Sequence, residues 1–160
     1  MALTESTDSV LFITQNNHMA GQKLQIERQH MNHELYPTYT LLTNDLLANA
    51  LSLECMFKAY IDDQDTSVIE SAFIIANTQL TIVRNLRDMS EGELDHDIIH
   101  LSARSVGVSL MVSALMSSME NEEETEEKTD NSAELPEAIL TMVKGCISNL
   151  KSIRYSVTSC

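Results

Sequence analysis

Residues 41–61 read LLTNDLLANALSLECMFKAYI, apolar on most sides of a helix, with Glu54 and Lys58 one turn apart. Such a helix must be covered by neighbouring elements, while Glu placed four residues before Lys can close an ion pair along its surface. The reading is a helix inside a bundle. Composition agrees, because only four glycines and two prolines interrupt 160 residues rich in Leu, Ile, Ala, Met and Glu. The expected fold is all-α, a bundle of about five helices in one domain spanning 1–160. A chain of this length buries an ordinary core without staples.

On the N-terminal side, 7–33 reads as a helical arm: Val10, Ile13, Ala20, Leu24 and Met31 lie close to a seven-residue repeat, broken by Asn17 and Glu27. Pro37 ends it, since proline pushes Tyr36 out of helical geometry. The bundle core is expected over 39–119. Asp62, Asp63, Gln64 and Asp65 form a turn, Ser67 with Glu70 reads as a capping box, and Ser90 with Glu93 repeats that signal before a helix running to about Met119. Pro136 suits the first turn of a last helix over 135–157, which carries Lys144, Lys151 and Arg154.

Charge is the strongest compositional signal. The formal net charge is −14 and the pI about 4.5. Half of that charge sits in 120–134, where Glu120, Glu122, Glu123, Glu124, Glu126, Glu127, Asp130 and Glu134 face Lys128 alone. This tract reads as a long flexible acidic loop before the last helix, since like-signed carboxylates resist compaction. Its residues Glu122, Glu123, Glu124, Glu126 and Glu127 are the candidate partner-binding set. Lys144 and Lys151, two turns apart on one helical face, offer it a docking place within the chain. An acidic field attracts basic proteins and disfavours phosphate backbones.

The three cysteines, Cys55, Cys146 and Cys160, cannot all pair within the chain, which points to a reducing compartment such as the cytoplasm. No signal-peptide pattern is evident, and Ser102, Arg104 and Gly107 interrupt the best bilayer-spanning candidate around Ile98 to Met116. Cys55 falls on the helix taken as most buried and is expected in the core.

Three constellations can be written as chemistry. Glu93, His96 and His100 share a helical face and offer a carboxylate and two imidazoles to Zn²⁺, although the zinc-protease pattern wants Glu where Asp97 stands. The preferred reading is surface histidines at a helix start. Glu27 and His30 together with Glu93 and His96 repeat the Glu-x-x-His element of di-iron bundles, but Glu54 and Glu70, the remaining carboxylates on offer, are accounted for as ion-pair and capping residues. Arg28 with His33 could divide proton transfer and phosphate stabilisation in a metal-independent ribonuclease, though the spacing is common in a His- and Gln-rich arm. No nucleophile elbow, phosphate-cradling glycine loop or Cys-x-x-Cys motif occurs. The expectation is no catalytic residues, no metal and no cofactor.

Three short segments resemble the HEPN family of helical domains: ALSLECMFKAY from Ala50 to Tyr60, HDIIHL from His96 to Leu101, and SIRYS from Ser152 to Ser156. The resemblance implies a helical bundle that often dimerises, in toxin–antitoxin, RNA-processing or defence systems. Ribonuclease members of that family carry Arg followed by His on the last helix, whereas Arg154 here is followed by no histidine. The leading expectation is therefore a non-enzymatic acidic protein that binds another protein, as an inhibitor, an antitoxin-like neutraliser or a regulatory adaptor, with homodimerisation open. The alternatives are a HEPN-like ribonuclease or its inactive relative, and a subunit of a larger helical assembly.

Overall fold

The structure, a computed structural model, describes residues 37–90, 96–122 and 134–158. Among them are four helices and no strand: α1 over residues 37–63, α2 Val68–Met89, α3 His96–Glu122 and α4 Glu134–Thr158. The described residues are helical, as expected from composition. The arm expected over 7–33 and residues 123–133 of the acidic tract lie outside the described residues. From Tyr39 onward the helices belong to one compact unit.

Each helix buries a stripe at alternating steps of three and four. The stripes are Thr43, Leu46, Ala50, Leu53 and Phe57 on α1; Ile69, Ala72, Ala76, Gln79, Val83 and Leu86 on α2; Ile98, Leu101, Ser105, Val108, Val112 and Leu115 on α3; and Ile139, Val143, Cys146, Leu150 and Ile153 on α4. That seven-residue period keeps a narrow seam facing the neighbours along the whole helix, the requirement for nearly aligned bundle packing. α3 packs against both α2 and α4. Both pairs are antiparallel. Gln79 meets Ser105 while Asn77 meets Ser109, and Arg104 meets Asn149 while Asp97 meets Ser152, so residue numbers run in opposite senses across each interface. The buried residues of α1 belong to the same core cluster as those of α2, α3 and α4.

The expectation that residues 41–61 are covered on most sides is corrected. Leu41 is 60% exposed and Leu51 43%, whereas Leu46, Ala50, Leu53 and Phe57 are sealed. α1 is amphipathic: Leu41 and Leu51 lie on its outer side, while Leu42 and Leu47 are half-buried against the core beside the sealed stripe. Apolar content alone had overstated the burial.

One capping reading is also corrected. Ser67 makes no side-chain cap to α2; its backbone N–H and its hydroxyl both donate to Asp65 Oδ1, the former at 3.1 Å. Ser67 has helical φ and ψ, so its side chain is not directed at the free N–H groups of the first turn. Ser90 closes the end of α2, with its backbone N–H and hydroxyl donating to Arg87 O at 3.2 and 2.7 Å, while Glu93, its partner in the expected capping box, lies outside the described residues. Between α1 and α2, Gln64 adopts a left-handed φ of 54°, and its amide donates back to Tyr60 O and Ile61 O, closing the helix end.

α3 is, by length and composition, apolar enough to cross a bilayer, against the expectation that Ser102, Arg104 and Gly107 would prevent it. Those three residues are too few to offset the Ile, Leu, Val and Met around them. The same composition serves a bundle helix whose inner stripe is buried and whose polar residues bond to α2 and α4.

Candidate functional site

α3 brings together most of what the described residues offer for recognition, and each of its faces has a different chemistry. Toward α2 it contributes Ser105 and Ser109. Gln79 Nε2 donates to Ser105 Oγ at 3.2 Å, and Ser109 Oγ donates to Asn77 Oδ1 at 2.9 Å. Cys146 of α4 joins the first pair: burial pushes its thiol up, against hydrogen bonds from Ser105 and Gln79 and the charge of Arg104. Gln79, Ser105 and Cys146 thus form a polar layer within the core. Gln79 Oε1 finds no partner there. Such a layer costs stability and favours one register of the helices over others.

Toward α4 lies a linked chain of polar groups. Arg104 donates to Gly145 O at 3.3 Å and, in a short contact, to Asn149 Oδ1. Asn149 Nδ2 then donates to Asp97 Oδ1 at 2.9 Å, and Ser152 Oγ to Asp97 Oδ2 at 2.7 Å. These last two bonds hold the Asp97 carboxyl below its ordinary value, against partial burial and with help from the charges of His96 and His100. A Cβ on Gly145 would stand 2.7 Å from Arg104 Nε, so glycine there is what lets the guanidinium lie across α4. The three groups are satisfied by one another, and the arrangement reads as a clamp between helices.

The outer face of α3 is different. Ile99, Ala103, Val106, Leu110, Ala114 and Ser117 follow steps of three and four and are all exposed, Leu110 by 66%. Arg104 is the one charge on α3 between Asp97 and Glu120, and it is turned toward α4. An uncharged stripe therefore runs along α3 toward the carboxylates of 120–134. Single exposed apolar residues are ordinary, but several aligned on one helix mark a surface that can bury them. The same spacing of three and four makes this second stripe legible in the sequence.

The sequence candidates fall in several places. Lys58 Nζ lies 2.8 Å from Glu54 Oε1, and that bond draws the Glu54 carboxyl down and the Lys58 ammonium up, with Lys144 and Lys151 adding to the effect on Glu54. Lys58, Lys144 and Lys151 are all exposed. Cys55 is exposed, not buried, because it sits two residues beyond Leu53 on the outer side of α1. His96 and His100 stand at the start of α3 with their Nε2 atoms 3.0 Å apart. Glu122 ends α3. Arg28, His33, Glu27, His30, Glu93, Glu123, Glu124, Glu126, Glu127 and Cys160 lie outside the described residues. Among the described residues no three His, Cys, Asp or Glu side chains converge as a metal set.

Comparison with protein-family models, with curated proteins and with solved structures finds no match to this chain.

Proposed function

We propose that the protein works by binding another protein, without catalysis, and that its partner presents an apolar helical face beside a cluster of Lys or Arg. The uncharged stripe from Ile99 through Val106 and Leu110 to Ser117, leading toward the acidic residues of 120–134, carries the reading. An apolar strip supplies burial, and adjoining carboxylates supply steering and register for a basic partner. Inhibition or adaptor function in a reducing compartment follows as the role for such a surface. The finer expectations of a fifth helix over 7–33 and a flexible acidic connection belong to the same proposal, since a loosely held acidic tract can reorganise around its partner.

The HEPN-like reading, active or inactive, rests on the three sequence segments, and its Arg28 and His33 pair gains no support from the described residues.

The experiment is a binding titration with a basic amphipathic helical peptide of leucine and lysine. Affinity is expected to fall between low and moderate salt, and again when Glu120, Glu122, Glu123, Glu124, Glu126 and Glu127 are changed to Gln. Salt-independent binding, or full affinity after neutralisation, would exclude the tract from the interface.

A further inference from the structure

We propose that His96 and His100 form a two-nitrogen chelating site for a divalent transition-metal ion, with Cu²⁺ bound in preference to Zn²⁺. The two residues are one turn apart at the start of α3, both exposed, and their Nε2 atoms converge to 3.0 Å with ring centroids 4.2 Å apart. In the metal-free pair one ring nitrogen donates its proton to the lone pair of the other. A cation between them takes the place of that proton.

The separation fits this use. With metal–nitrogen bonds of about 2.0–2.1 Å, two ligands at a right angle stand about 2.9 Å apart, and two at the tetrahedral angle about 3.3 Å. The 3.0 Å separation is within reach of one ion shared by both nitrogens. The order of intrinsic affinity for imidazole puts Cu²⁺ first. A helix N-terminus opposes a cation, but the Asp97 carboxylate interacts with both rings and supplies a nearby negative charge. Asp97 is occupied by Asn149 and Ser152, so it acts through its field and is not counted as a ligand. Among the described residues no third His, Cys, Asp or Glu side chain joins the pair, so the two imidazoles are the ligands assigned. The spacing of the histidines was visible in the sequence; the convergence of their Nε2 atoms was not.

The chain also contains His18, His30 and His33, so the test must separate the two groups. The chain, carrying no histidine tag, is titrated with Cu²⁺ and examined by electron paramagnetic resonance alongside H96A, H100A and a variant with His18, His30 and His33 all changed to Ala. Alanine is a good helix former, so the α3 variants are expected to keep their helical circular dichroism. A tight site with two-nitrogen hyperfine structure is expected in the wild type and in the triple variant. Loss of either His96 or His100 should weaken it on the order of tenfold or more, because the second nitrogen binds intramolecularly. Retention of the wild-type site in both single variants, or its disappearance in the triple variant, would overturn the assignment.

Discussion

Asn149 joins Asp97 to Arg104: its amide nitrogen donates to Asp97 Oδ1 at 2.9 Å while its oxygen accepts from Arg104, so one side chain on α4 ties together two residues of α3 seven apart. Asp97→Ala removes the acceptor of two hydrogen bonds, one from Asn149 and one from Ser152. The expected loss is about 1–2 kcal/mol in urea unfolding at neutral pH, reduced from the fully buried value by partial exposure.

Acid titration gives an independent check of the same carboxylate. A group whose pKa is lowered in the folded state adds stability that is complete above its unfolded value, about 3.9, and disappears as pH falls through the folded value. Asp97→Asn should therefore lose stability at neutral pH and show a shallower fall in stability than wild type below about pH 4. Parallel acid limbs for the two proteins would mean that Asp97 is not held as described.

The two close-packed glycines of the α3–α4 interface should respond oppositely to alanine. At Gly107 the added methyl meets the flexible thioether of Met142 at 2.6 Å, which can turn aside, so the helix-propensity gain of up to about 1 kcal/mol should largely survive. At Gly145 it meets Arg104, whose displacement breaks the bonds to Gly145 O and Asn149, and a net loss of about 1 kcal/mol is expected. Thermal melts of Gly107→Ala and Gly145→Ala decide between these signs.

Gln79 is the polar member of the α2 core stripe, and its Oε1 is buried without a partner. Gln79→Met keeps the volume and removes the unpaired oxygen, so unfolding stability should rise by about 1 kcal/mol. A loss of 2 kcal/mol or so would show that the amide is better satisfied than its geometry indicates.

How much of this was legible beforehand differs from residue to residue. The helix containing Leu46, Leu53 and Phe57 follows from apolar content, and Pro136 marks the start of the last helix because proline suits a first turn. Leu51 and Cys55 were misjudged because composition does not say which side of a helix faces the core. Ser67 fits a capping pattern, yet Asp65 claims its hydrogen bonds, a competition settled by backbone conformation. The Arg104, Asn149 and Asp97 chain joins residues 45 and 52 apart in sequence, a separation at which local spacing carries no information.

One contrast on α1 tests the corrected burial. Leu53→Asp places an unpaired charge in a sealed position and should unfold the domain, whereas Leu51→Asp should leave it folded with a stability change within about 0.5 kcal/mol. Circular dichroism and denaturant midpoints of the two variants give the answer.

The most direct test of the proposed surface compares two helical peptides of equal positive charge, one amphipathic with leucine along one face and one with alanine in those positions, binding to the wild type and to Leu110→Ser. A surface that joins the Ile99, Val106 and Leu110 stripe to the acidic tract should prefer the leucine peptide, and Leu110→Ser should lose that preference while keeping the charge-driven binding. Equal affinity for both peptides in the wild type would contradict it, because the interaction would then be attraction between opposite charges with no part for the apolar stripe of α3.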